Sequence, residues 1–404
     1  MRRAYHETGG LSACVDAARV VGSRVPANSL RRALRAYRRD EARARVARWR
    51  GVADAEADAD VLHAHRFMTS DEAQERLAEA EAEGAFAPDE ARAMRAHVAD
   101  AHAARELTRT RAAWAALPFQ ALDRNGNREP CAELVELVSA PGARANRSLR
   151  ASSVQALERA AAEVAPRVED AAQRARAARL AVLGTPSSGA PEPGEPKTSL
   201  TELARGFLSL TDDLAAEALS RAAATSGLDH PERWEDLAAV LSFPDLQGRF
   251  GQRDRARRIA APFAGLGFAR ELGGVKLEPA HPSVGVRARL AVLDPTRDVR
   301  VSPAFREQGL ASELAILEGV GRGLAQLLLP AALPFAQALP VVDEGARTFA
   351  ALLMQLPCDP RFLGSGRTLS KELPSIAAAG VSLQLTALRV AAASLIAGED
   401  RSRD

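Results

Sequence analysis

Histidine and cysteine are the residues best able to hold a metal or move a proton, and their spacing in this chain gives little to work with. His63 and His65 are two apart, and His97 and His102 are five apart. Neither pair shares a helix face as paired ligands must. His6, His230 and His281 stand alone, and no histidine follows His281. The C-terminal part therefore has no imidazole for a metal or for acid–base work. Cys14, Cys131 and Cys358 are far apart and odd in number. That excludes a disulfide scaffold and a zinc ribbon, and suits a reducing compartment. Asp123-Arg-Asn-Gly-Asn opens like a calcium loop. Its sixth position is Arg128 instead of glycine and its twelfth is Leu134 instead of glutamate, so a polar turn is expected. Gly319-Val-Gly-Arg-Gly invites a nucleotide-loop reading. It follows a helical segment, and the third glycine of the fingerprint would fall on Leu324. There is no G-x-S-x-G elbow and no cysteine with a plausible histidine partner.

The elements that must position any site read as mostly helical. Apolar spacing predicts helices over 28–50, from about 70, 88–117, 150–183, 200–224, 232–241, 254–266, 313–329, 344–356 and 376–397. Pro166 is expected to kink the fourth. Between them, 275–278, 287–293 and 298–301 are short, alternating or β-branched runs that predict a small antiparallel sheet. Residues 184–198 (GTPSSGAPEPGEPKT) read as a loop or linker. The chain divides into an N-terminal helical region, 1–183, and a C-terminal region, 199–404.

Its 404 residues are 47% hydrophobic and only 4% aromatic, with 54 basic against 52 acidic side chains. A folded core is expected. No global field draws the chain to nucleic acid or to an anionic membrane. Leu324 to Val342 is interrupted by three prolines, and Ala377 to Ala397 carries Gln384 and Arg389. Both are read as core, not as membrane spans. A cytoplasmic protein without a signal peptide is expected.

One stretch carries a frame. Ala291 to Ala325, AVLDPTRDVRVSPAFREQGLASELAILEGVGRGLA, resembles the run that leads into the zinc helix of the oligoendopeptidase and thimet oligopeptidase family. There the helix reads L-H-E-x-G-H-A-L-H. Here Leu317 is followed by Glu318 for the first histidine, Gly319 for the catalytic glutamate and Arg322 for the second histidine. The family's third ligand lies on a later helix that ends in an acidic–proline step. Counting back from Asp359-Pro360 places it at Arg347, and a shifted alignment places it at Glu344. The family's oxyanion tyrosine has no counterpart, since Tyr5 and Tyr37 are the only tyrosines.

The resemblance implies a large bowl-like helical bundle with a small antiparallel β insert before a former zinc helix. It implies no metal, no cofactor and no peptidase activity. Arginine cannot give up its proton to become a ligand. A retained cleft would bind a peptide or protein segment, along an exposed edge strand at Val299, Arg300 and Val301. Arg300 would favour an acidic segment there. An ion pair from Glu318 to Arg347 is expected to replace the zinc link. Two alternatives stand: a helical scaffold without peptidase ancestry, and a hydrolase with non-zinc chemistry. The three glycines 319, 321 and 323 speak against an ordinary exposed helix, because each costs ~1 kcal/mol against alanine in a helix interior. A helix lying close under another backbone would need them.

Overall fold

A computed structural model of the chain describes residues 27–53, 56–115, 120–122, 128–130, 147–184, 200–226, 234–241, 243, 246, 250, 263–278, 289–302, 310–339, 344–359 and 373–401. It is mostly α-helical with a small three-stranded sheet. Helix α1 spans Ala27–Trp49, α2 Ala57–Ala64, α3 Asp71–Ala82 and α4 Pro88–Ala115. Pro88 sits at the first turn of α4, where a missing N–H costs nothing. Ser70 precedes α3, yet its hydroxyl donates back to the Phe67 carbonyl and does not cap the helix. A hairpin, β1 (Gln120–Leu122) with β2 (Arg128–Pro130), flanks the polar turn, which itself lies outside the described residues. Helix α5 runs Arg147–Leu183 with Pro166 inside it. Gly184 follows at φ +75°, the left-handed value that glycine adopts freely at a helix end. The rest of the expected linker lies outside the described residues.

The predicted helix 200–224 is two: α6 (Leu200–Leu210) and α7 (Asp212–Ser226). They are separated at Thr211, whose hydroxyl bonds the Phe207 carbonyl. Helix α8 spans Trp234–Leu241 and α9 Ala269–Leu272. Most of the helix expected over 254–266 lies outside the described residues. Strands β3 (Val275–Leu277), β4 (Arg289–Asp294) and β5 (Asp298–Ser302) follow, then α10 (Leu310–Leu327), α11 (Phe335–Ala338), α12 (Glu344–Met354) and α13 (Leu373–Arg401). The apolar stretch Leu324 to Val342 is broken after Pro330 into turn and short helix. Among the described residues, α13 is the one helix long and apolar enough to cross a bilayer. Its Ile376, Ala377 and Ala379 are buried, while Val381, Leu388 and Val390 are exposed, so the expected core helix is core on one side only.

The sheet departs from expectation. It is mixed, in the order β3-β5-β4. Strands β4 and β5 form an antiparallel hairpin, with Asp294 opposite Asp298 and Thr296 at φ +74° in the turn. Strand β3 adds to the other side of β5 in parallel, Val275 opposite Val299 and Leu277 opposite Val301. Val299, Arg300 and Val301 therefore form the central strand, not an edge, and both valines are fully buried. A half-buried alternating strand looks the same in sequence whether one or both of its neighbours are present.

Among the described residues, four apolar clusters hold the fold. The first joins α1, α3 and α4 through Leu30, Leu34, Tyr37, Leu77, Met94 and Val98. A small one seats Val46 and Trp49 of α1 on Ala291 of β4. The other two share α10. Leu310 and Leu314 pack with Val240, Phe250 and Ile376, and Ile316, Leu317, Val320 and Leu324 pack with Phe263 and Leu353.

Candidate functional site

Helix α10 is buried on almost every side. Glu313, Leu314, Ile316, Leu317, Gly319, Val320, Gly321, Gly323, Leu324 and Gln326 are all buried. Only Ala315, Glu318, Arg322 and Ala325 keep partial access to solvent in the middle of the helix. Those four recur at the three- and four-residue steps that make one face. The open stripe thus carries two of the positions where the resembling family has its ligand histidines.

The glycines on either side explain how the helix is clamped. A Cβ on Gly321 would lie 2.8 Å from Ala350 Cα of α12, inside any real contact distance. A Cβ on Gly323 would meet both Val275 Cγ atoms at 3.2 Å and Val299 Cγ1 at 3.4 Å. Gly321 lets α12 approach backbone to backbone, and Gly323 lets the sheet close on the other flank. The stripe runs between those two flanks. The expectation that these glycines serve close packing holds at both positions.

The chemical positions behave differently from expectation. Arg347 is exposed on α12, and among the described residues no ion pair joins it to Glu318. Ala350 and Leu353 are the residues of α12 that meet Gly321, and Arg347, one turn before Ala350, is left in solvent. Glu344 begins α12. Arg322 already has an interaction partner. Zinc does not suit this donor set. Gly319 offers no side chain and Arg322 no lone pair, which leaves the Glu318 carboxylate alone on the stripe.

Arg300 is not available to an incoming acidic group either. Its guanidinium bonds Asp298 at 2.6 and 3.0 Å and also bonds Glu278. The Asp298 bond, followed by the Glu278 bond, holds its pKa above the ordinary arginine value. Glu278, buried at 4% exposure, also takes a bidentate pair from Arg50 at 2.7 and 2.8 Å. Arg45 donates to the Leu290 carbonyl at 3.1 Å. Together these contacts fasten the end of α1 to the sheet. No local pattern in the sequence signals the Arg50–Glu278 pair, which joins residues 228 positions apart.

The free edge of the sheet is β3. Val299 N–H donates to the Gly274 carbonyl at 3.3 Å and Glu278 N–H to the Val301 carbonyl at 2.8 Å. In a parallel ladder alternate residues of a strand bond the same neighbour. The backbone groups of Val275 and Leu277 therefore point away from β5. Among the described residues no strand pairs with that side, and Lys276 and Leu277 are exposed.

A second polar cluster lies in the N-terminal half. His97 is 1% exposed. Its Nε2–H donates to the Ala336 carbonyl at 2.8 Å, and its Nδ1 accepts from Arg38 at 2.9 Å. Burial first, and the adjacent Arg38 second, lower its pKa to about 3. Arg38 also pairs with Glu41 and Asp100. This histidine ties α4 to α11, and both its nitrogens are committed.

No family profile matches the chain, and no curated protein matches it. Among solved structures the chain is similar to one described as an oligoendopeptidase F from Bacillus anthracis str. Ames. The identity is 11% and the TM-score 0.37, over 96% of this chain and 88% of that one.

Proposed function

We propose that the chain is a non-catalytic relative of zinc oligopeptidases that holds an extended peptide or protein segment over the open stripe of α10. One observation supports this above the rest. A helix sealed on its other sides leaves open the face that carries Glu318 and Arg322, and neither side chain there can rebuild a zinc–water site. A solvated helix would have no use for Gly321 and Gly323, and a purely structural one would close the stripe. The outward N–H and C=O groups of Val275 and Leu277, on the sheet that flanks α10, supply backbone pairing for the segment. Recognition then rests on main-chain hydrogen bonds, with the half-open Glu318 as the charged contact.

The test is a peptide library titrated against the full chain and against Leu277→Pro. That variant removes an outward N–H and leaves the ladder to β5 intact. The expected result is peptide binding weakened by the proline, with no cleavage and no stoichiometric zinc. One zinc per chain with chelator-sensitive cleavage would overturn the reading. So would equal binding by both proteins. The rival scaffold reading rests on Leu200, Leu203 and Leu210 of α6, which are exposed beside the apolar outer side of α13. It gains if neither protein binds peptide.

A further inference from the structure

At the far end of α10 the chain turns through Pro330 and Pro334 and comes back against the N-terminal helices. A cavity of about 320 Å³ opens there between α1, α4 and the segment 332–336. It shares no residue with the stripe of α10.

The chemistry of its wall is uneven in an informative way. Leu34 and Met94 close its base but have almost no accessible surface, so the open apolar wall is Leu333, Pro334 and Phe335. Glu90 is buried, but its carboxylate is closed off by Arg31 in a bidentate pair at 2.6 and 2.7 Å. Arg31 also lies over the Phe86 ring, 4.8 Å from its centre. That pair is therefore fixed and neutral as a unit. Arg35 is different. It lies one helical turn further along α1, its guanidinium 5.0 Å from the centre of the Phe335 ring. Among the described residues no carboxylate pairs with it. The charged lining groups are Arg31, Arg35 and Glu90, which leaves one net positive charge at the mouth of the recess.

We propose that this cavity binds a small monocarboxylate with an apolar body, its carboxylate on Arg35 and its body against Leu333, Pro334 and Phe335. The guanidinium fork matches a carboxylate bidentately. A single uncompensated charge suits a monoanion better than a phosphate, which would bring a second charge with no partner. The volume lies at the low end of ligand cavities, roughly 300–1,000 Å³, so the ligand is small. The ring of Phe335 would hold the guanidinium in place before the ligand arrives, so little side-chain freedom is lost on binding.

The experiment is calorimetric titration of the full chain with octanoate, octanol, octylamine and octyl phosphate. Octanoate is expected to bind most tightly. Arg35→Ala should weaken octanoate roughly tenfold or more, the size of a lost charge-assisted hydrogen-bond pair, and leave octanol unchanged. Arg35→Lys should recover part of the loss. Ala332→Phe, at an exposed position on the rim, should block all the ligands. Arg39→Ala, an exposed arginine of the same helix outside the lining, should behave as wild type. The proposal is overturned if octanol matches octanoate, if octyl phosphate binds more tightly, or if Arg35→Ala keeps octanoate affinity. Circular dichroism on each variant separates lost binding from lost fold. The exposed position of Arg35 makes a folded Arg35→Ala the expected outcome.

Discussion

Gly321→Ala should destabilise the protein, although alanine is the better helix former. In an open helix the exchange gains ~1 kcal/mol from backbone entropy. At Gly321 the added methyl would lie 2.8 Å from Ala350 Cα, 3.0 Å from Leu353 Cδ1 and 3.2 Å from Ala350 Cβ. The nearest of these is backbone and cannot swing aside. Relief requires α10 and α12 to separate, and overpacking of this kind costs ~1–3 kcal/mol. The difference is a net loss of up to about 2 kcal/mol. Gly206, in exposed α6, has nothing within 4 Å of the equivalent atom. Gly206→Ala should therefore gain up to ~1 kcal/mol. The same substitution has opposite signs at two sites. Gly323→Ala falls between, since the Val275 methyl groups at 3.2 Å can give way. Urea unfolding followed by helical signal measures all three, with midpoints compared at equal slope. A Gly321→Ala protein as stable as wild type, alongside a stabilised Gly206→Ala, would refute the close approach of α10 and α12.

Other outcomes follow from the polar contacts. His97 must stay neutral in the fold, and its pKa of about 3 lies below the unfolded value near 6.5. Its contribution is complete above pH 6.5 and is lost as pH falls toward 3, because only the unfolded state takes up the proton. Lowering pH from 7 to 5 should cost on the order of 2 kcal/mol from this group, and His97→Gln should flatten that slope in pH-dependent unfolding. Glu278→Ala leaves Arg50 and Arg300 without their shared buried carboxylate and should cost about 3 kcal/mol by urea midpoint, with Arg50→Ala costing less. Glu318→Ala should change stability by less than ~1 kcal/mol, since no ion pair to Arg347 depends on it, and a loss several times larger would reveal a link across α10 and α12.

The sequence by itself determined the helical class and the identity of most helices, because apolar periodicity near 3.6 is a local property. It located the three strands of the sheet for the same reason, with their period of two. It also set the expectation that Glu318, Gly319 and Arg322 do not hold zinc, since donor chemistry follows residue type. From the cost of three glycines it indicated that α10 lies close under another backbone. Where strands pair is not local. The order β3-β5-β4, the parallel arrival of β3 and the burial of Val299 and Val301 depend on which segments meet after a loop closes. The state of Arg300 was likewise fixed by Glu278 and, through it, by Arg50 at the end of α1. The packing of α12 against α10 decided that Ala350, not Arg347, meets Gly321. A difference of a few residues along that helix separates a charge cluster from a methyl–glycine contact, and only packing of the two surfaces selects between them.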